Sequence, residues 1–210
     1  MSFALTVFDI FAYMFPGGVY LSVLAYVGAR LGWLPLAQLG SSHLLAVGIA
    51  AAILAYLIGH LSYGLGRALD ARLPGWGRRT PDNTLDLFLR RCPQAAGRPY
   101  LAAEHFLLLS AIELHDQEAG LTIARTRSQG LMLRHLVPPL IAATGVAVIE
   151  LVVGTNRGLA ATALVLLSLG AYAAMARGRE LAEWARLKTL ETAFWIPAID
   201  ETLTRRPAPS

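Results

Sequence analysis

The chain has 210 residues, of which 55% are hydrophobic and 15% are charged, whereas soluble domains average about 45–50% and about 25%. This composition excludes an ordinary soluble domain and predicts a largely helical protein. The formal net charge is +4, but the basic residues flank apolar segments, where membrane orientation and anionic headgroups account for them. Nucleic acid is therefore not an expected partner.

The basic residues are unevenly distributed along the chain. Sixteen of the eighteen Lys and Arg residues lie in two blocks, Arg67 to Arg134 and Arg177 to Arg206. By the positive-inside rule these blocks mark the cytoplasmic face of a membrane. The sequence therefore predicts an all-α protein of the bacterial inner membrane, with four transmembrane helices in two hairpins and with both termini in the cytoplasm. The lipid bilayer is its first expected partner.

The first hairpin is predicted over residues 1–66, with spans at about 7–29 and 42–65. Each segment is long enough to cross ~30 Å of hydrocarbon at ~1.5 Å per residue. Pro16-Gly17-Gly18 lies near the middle of the first segment. Because a proline removes one helical hydrogen bond and two glycines loosen the next turn, a kink or a break is predicted there.

A helical cytoplasmic domain is predicted over residues 67–135. Its first helix is expected to begin at Thr80-Pro81-Asp82 and to end near Leu89, because this triplet resembles an N-cap, a first-position proline and a first-turn acid. A longer helix is expected from Tyr100, with an interruption at Gly120.

The second hairpin is predicted over residues 136–176, with spans at about 136–153 and 159–176. A tight loop at residues 154–158 connects them. Residues 177–210 are expected to form a cytoplasmic tail, which is helical as far as Trp195 and disordered at its end.

Small residues recur along one side of the second span, at alternating spacings of four and three. They are Gly48, Ala52, Ala55, Gly59, Ser62 and Gly66. Helices in lipid associate closely where small side chains let their backbones approach. These six residues, called here the small-residue seam, predict tight helix packing in a homo-oligomer. A shorter stripe is predicted on the first span, at Gly18, Ser22, Ala25 and Ala29.

Three ionisable residues lie inside predicted spans, where each is a candidate for function. Asp9 and His60 both lie near the cytoplasmic boundary and can pair, or each can act alone as an interfacial group. Glu150 lies near the outer end of the third span and can pair with Arg30 or Arg157. The alternative for Glu150 is a ring of acids at the mouth of a cation-conducting pore.

The predicted cytoplasmic domain contains side chains of the kinds that bind metals or catalyse reactions. They are Glu104, His105, Glu113, His115, Asp116 and Glu118. Neither an H-E-x-x-H sequence nor a pair of cysteines accompanies them, so they are interpreted as a solvated acidic face. No metal, no cofactor and no enzymatic activity is predicted.

Two short motifs resemble a group of poorly characterised bacterial multi-span proteins. They are Phe8 to Gly17, with the form F-D-x-x-x-Y-x-x-P-G, and Tyr56 to Leu61, in which a Gly-His pair closes the second span. The resemblance covers roughly the first 70 residues. It marks Asp9, Pro16, Gly17, Gly59 and His60, and it implies a similarity to membrane effector subunits of anti-phage defence systems.

These observations lead to three hypotheses. The first is a homo-oligomeric, membrane-perturbing or pore-forming effector, which a cytoplasmic protein partner or a small signalling ligand controls through the cytoplasmic domain. The second is a membrane anchor or scaffold that recruits a cytoplasmic enzyme. The third is a membrane-embedded enzyme or transporter that uses Asp9, His60 and Glu150.

Overall fold

The computed structural model describes residues 3–33, 44–62, 64–65 and 84–204, with the side chains of 3–9, 44, 202 and 204 left out. All regular secondary structure in these ranges is helical. The α-helices are α1 (Phe3–Arg30), α2 (Leu44–Leu61), α3 (Thr84–Arg91), α4 (His105–His115), α5 (Gln117–Val153), α6 (Arg157–Phe194) and α7 (Pro197–Thr204). Two short 3₁₀ helices, Pro93–Ala95 and Pro99–Ala102, lie between α3 and α4.

Three of the described helices are long and apolar enough to cross a membrane, by length and composition. The qualifying segments are Ile10–Arg30, Gln117–Val153 and Arg157–Phe194. The second predicted span corresponds to α2, which is apolar over 18 residues and therefore ~27 Å long at ~1.5 Å per residue. The all-helical class thus agrees with the sequence prediction, and the three long apolar helices are compatible with a membrane protein.

The chain divides into two compact units. Unit 1 comprises Met1–Arg78 and Gly130–Arg179, and unit 2 comprises Arg79–Gln129 and Glu180–Ser210. The chain passes from one unit to the other inside α5 and again inside α6.

Unit 1 contains α1, α2 and the apolar parts of α5 and α6. Val137, Ala174 and Met175 form a small buried core between α5 and α6. At Gly178 an added methyl group would lie 3.0 Å from the backbone oxygen of Gly130, so these two helices approach at a position without a side chain. Many large apolar side chains of unit 1 point outward, among them Phe15, Leu24, Ile53, Leu166 and Leu169. Lipid tails solvate such a surface, whereas water does not.

Unit 2 has its own hydrophobic core. Its fully buried members include Phe88, Tyr100, Ile112, Ile123 and Ile199, each at most 1% exposed. The Phe88 and Tyr100 rings meet edge to face with centroids 6.4 Å apart. This core joins α3, the 3₁₀ segment, α4 and α7 to the first turns of α5 and the last turns of α6.

Two local predictions of a helix interruption differ from the structure. Helix α1 continues through Pro16-Gly17-Gly18 without a break, and α5 likewise continues through Gly120. The interruption falls instead at Asp116, where φ is −141° and ψ is 93°. The Asp116 carboxylate accepts a hydrogen bond of 3.0 Å from the Ala119 N–H and so caps the new helix.

The tail also differs from its prediction. The fourth span and the tail helix are one continuous helix, α6. The end of the chain, which was expected to be disordered, contains α7. Ile199 in this helix is 1% exposed, and the Asp200 carboxylate forms an ion pair with the Arg98 guanidinium at 2.7 Å. The predicted helix start at Thr80-Pro81-Asp82 and residues 205–210 lie outside the described residues.

Candidate functional site

Helices α1 and α2 cross at direct backbone contact. A methyl group added to Gly59 would overlap the carbonyl oxygen of Tyr13, and one added to Gly17 would overlap the carbonyl oxygen of Ala55. Only glycine leaves room for this approach. The two glycines that the resemblance marks therefore lie opposite each other in one chain.

The small-residue seam is divided by this crossing. Ala55, Gly59 and Ser62 are buried, and the Ser62 hydroxyl donates a 2.8 Å hydrogen bond to the Gly59 carbonyl. Gly48 and Ala52 are exposed, so the seam is not continuously packed within the described residues. Gly66 lies outside them.

The matching stripe on α1 is also displaced from its prediction. The α1 glycine at the crossing is Gly17, whereas Gly18, the first residue of the predicted stripe, would meet nothing within 4 Å if it carried a methyl group. Neighbouring Pro16 is buried. Helix α1 therefore contacts α2 through Gly17, the residue before the first member of the predicted stripe.

Beside the crossing, rings from three helices of unit 1 form a cluster around Tyr13. The Tyr13 ring lies 5.2 Å from the His60 ring, 6.4 Å from Tyr56 and 6.0 Å from His135, measured between centroids. Tyr56 and His60 stack with their planes 16° apart. His135 is 4% exposed, whereas His60 is exposed. We call these four residues the tyrosine–histidine cluster.

The Asp9 side chain, one member of the predicted pair with His60, lies outside the described side chains. The backbone of Asp9 lies in α1, one turn before Tyr13. The sequence analysis selected His60 as a candidate, whereas Tyr13 and Tyr56 entered it only as parts of the two motifs and His135 was overlooked. A local signal existed for Tyr56, which precedes His60 by one helical turn; no local signal connects His135 to either residue.

Glu150 is paired with Arg30, one of the two arginines that the sequence suggested. The Arg30 Nε donates to the Glu150 carboxylate at 2.9 Å, and the two side chains are 53% and 21% exposed. The Tyr26 hydroxyl lies beside the same carboxylate. Gly154 leaves the space that the Glu150 side chain fills. This ion pair joins the ends of α1 and α5 within one chain.

Unit 2 contains a groove of about 300 Å³, which we call the unit 2 groove. Its lining residues are Thr84, Leu85, Leu101, Ala103, His105, Leu108, Arg186 and Leu190. Three of these side chains are polar. Thr84 and His105 begin α3 and α4, and Arg186 lies one turn before Leu190 on α6.

The polar part of the groove contains the guanidinium of Arg186, and the charge of Arg127 also acts on His105. Burial lowers the pKa of His105, and the positive charges of Arg127 and Arg186 lower it further. His105 is therefore neutral near pH 7. The Arg127 guanidinium lies 4.0 Å from the centroid of the Phe106 ring, which holds its charge next to α4. The sequence analysis placed His105 among six ligand-type residues that it interpreted as a solvated acidic face, and it overlooked Thr84 and Arg186.

The other acidic and histidine residues of this region have structural roles or face solvent. Asp116 caps α5, and His115 Nδ1 lies 2.8 Å from the Ala111 carbonyl oxygen. Glu113 packs against Gly120, while Glu104 is exposed. Among the described residues no three His, Cys, Asp or Glu side chains converge as metal ligands do.

Comparison with known proteins yields no relative. No protein-family model, no curated protein and no solved structure matches this chain. Its function must therefore be inferred from its own residues.

Proposed function

We propose that this protein is a homo-oligomeric effector of the bacterial inner membrane, in which unit 2 receives a signal and the helices of unit 1 respond by repacking and perturbing the membrane. Unit 2 is cytoplasmic in this proposal, because it contains basic residues of both blocks. The resemblance of the first 70 residues suggests anti-phage defence as the setting.

The observation that carries the proposal is the continuity of α6. The helix runs from Arg157 to Phe194 without a break. Ala171 and Met175 on it are buried in unit 1, and Arg186 on the same helix lines the unit 2 groove. In this proposal, a ligand that shifts Arg186 acts on a continuous helix whose other end is packed in unit 1.

Unit 1 has the features that a change in packing requires. The crossing of α1 and α2 has little side-chain interdigitation at Gly17 and Gly59, and the tyrosine–histidine cluster connects α1, α2 and α5 through ring contacts. Gly48 and Ala52, which α1 leaves exposed, are small enough for close contact between protomers.

The proposal is tested by inducing the full chain in a bacterial host and following membrane potential with a potential-sensitive dye. We expect depolarisation and arrested growth at a level of membrane-inserted protein that a control membrane protein tolerates. The variant Gly59→Leu should abolish the effect, whereas Leu57→Ile, with its exposed side chain on the same helix, should retain it. Chemical cross-linking in the membrane reports whether protomers associate.

Full membrane potential at matched protein levels would contradict the effector proposal and would favour the scaffold, which conducts nothing. A third outcome concerns the ionisable residues. If Asp9→Asn, His60→Gln or Glu150→Gln abolished a transport or catalytic signal without changing protein level, the embedded enzyme or transporter would replace the effector.

A further inference from the structure

The unit 2 groove combines polar and apolar lining. Its polar side chains are the hydroxyl of Thr84, the imidazole of His105 and the guanidinium of Arg186. The remainder consists of leucine side chains and Ala103. A ligand that satisfies both linings has a compact polar head and an apolar group attached to it.

The charge of the head follows from the field in the groove. Arg186 is always ionised at physiological pH, and Arg127 adds a second positive charge close enough to disfavour protonation of His105. A cationic head would be repelled by these two guanidinium groups. A carboxylate or a phosphate can accept hydrogen bonds from an arginine and a hydroxyl together.

The size of the ligand is limited by the volume of the groove. About 300 Å³ lies at the lower end of the range of small-molecule sites, which is about 300–1,000 Å³. The groove therefore accommodates a small molecule or the end of a longer one. Its apolar lining comes from Leu85, Leu101, Leu108 and Leu190.

We propose that the unit 2 groove binds an amphipathic anion, with a carboxylate or phosphate head on Thr84, His105 and Arg186 and an apolar chain of a few carbons along the leucine walls. Such a molecule has two sources, a soluble metabolite or the exposed end of an anionic lipid. This inference rests on the proposed function, since it names the chemical class of the signal that unit 2 receives.

The test uses the full chain in nanodiscs of zwitterionic lipid and isothermal titration calorimetry. Hexyl phosphate is the probe, and hexan-1-ol and inorganic phosphate each lack one of its two parts. We expect saturable binding of hexyl phosphate with one site per chain and at least tenfold weaker binding of the other two, because each reaches only one lining of the groove.

Two substitutions on α6 locate the binding. Arg186→Gln should weaken hexyl phosphate binding by about tenfold or more, because it removes a charge-assisted hydrogen bond to the head. Lys188→Gln is the matched control, since it removes the same charge two residues away from a side chain outside the groove, and it should change affinity less than twofold. Unchanged thermal unfolding of both variants verifies that they fold.

Equal affinity for hexan-1-ol and hexyl phosphate would overturn the proposal, as would equal losses in the two α6 variants. The source of the ligand is decided by repeating the titration in nanodiscs that contain phosphatidylglycerol. Weaker apparent binding there identifies the lipid as a competitor, and unchanged binding identifies a soluble anion. If hexyl phosphate does not bind although induction still depolarises the membrane, the ligand class is wrong and the effector function stands.

Discussion

Replacing Gly59 by alanine is the smallest change that tests the backbone crossing of α1 and α2. The added methyl group would occupy the position of the Tyr13 carbonyl oxygen. That atom belongs to the α1 backbone, so no side-chain rotation relieves the overlap and the two helices must separate. Separation would also move Tyr13 away from His60, whose ring centroid lies 5.2 Å from that of Tyr13.

The magnitude follows from a comparison within one helix. Gly48→Ala adds the same methyl group to α2 at a position where nothing lies within 4 Å. Both changes gain the same intrinsic helix preference of alanine over glycine, about 1 kcal/mol in water, and this gain cancels in the difference. What remains is the cost of overpacking, typically about 1–3 kcal/mol. The upper part of that range is expected because the obstructing atom is backbone.

The free energy of unfolding is measured on the purified full chain in mixed micelles, by titration with dodecyl sulfate and detection by circular dichroism. Gly59→Ala should unfold at a lower dodecyl sulfate fraction than Gly48→Ala. Gly17→Ala should behave like Gly59→Ala, because its methyl group meets the Ala55 carbonyl oxygen. Gly18→Ala serves as the silent control on α1.

Equal stabilities of Gly59→Ala and Gly48→Ala would refute the crossing. A loss confined to the oligomer, with the unfolding of the single chain unchanged, would instead place the Gly59 contact between protomers. The second result would support the prediction from the sequence, in which the small-residue seam forms contacts between protomers.

Three further predictions concern charges. Arg30→Gln and Glu150→Gln should each lower the free energy of unfolding, and the double variant should lower it no more than the worse single one. A double-mutant cycle on unfolding measures this. Additive losses would mean that the 2.9 Å ion pair contributes nothing to stability. Burial and two nearby arginines lower the pKa of His105 in the folded protein. As the pH decreases below about 6.5, this histidine is protonated in the unfolded chain before it is protonated in the folded one, so the free energy of unfolding should fall. His105→Gln should flatten that part of the stability curve, and an unchanged curve would rule His105 out. In a variant that lacks the native Cys92, a cysteine introduced at Thr155 should react with a membrane-impermeant thiol reagent in intact spheroplasts, and one introduced at Gly97 should not. The reverse labelling pattern would mean that the predicted topology is inverted.

The long apolar helices were predictable because their signal is local and additive. A run of apolar residues sums over many positions, so these helices were predicted without knowledge of the helices they contact. Their ends were not predictable to the same degree. Helices α5 and α6 continue beyond the apolar segments into unit 2, because a helix needs only backbone hydrogen bonds and suitable side chains, not hydrophobicity, to continue.

The helix-packing residues were predicted only in part, because small side chains permit contact without specifying it. Gly17 and Gly18 are neighbours on α1, yet only Gly17 meets α2. The difference is one of helix rotation, about 100° per residue, and it depends on the partner. The same ambiguity explains why Gly59 was assigned to an oligomer although its contact partner lies in the same chain.

Helix α7 was missed for a related reason. Its eight residues begin at Pro197, and proline is suited to a first helical position. What stabilises α7 is distant in sequence. Ile199 enters the core of unit 2, and Asp200 pairs with Arg98, 102 residues away. Without these contacts so short a helix would not persist in water.

The place of Arg186 in the unit 2 groove was not predicted, because its charge already had another explanation. Arg186 belongs to the second basic block, and its charge was fully accounted for by membrane orientation. Orientation depends on the sum of charges in a block, and this block contains six basic residues, Arg177, Arg179, Arg186, Lys188, Arg205 and Arg206. Loss of one of them leaves the bias in place, whereas Arg186 is the one arginine among the described residues that line the groove. The two roles of Arg186 are therefore separable: Arg186→Gln should remove ligand binding from a protein that still inserts with unit 2 on the same side of the membrane.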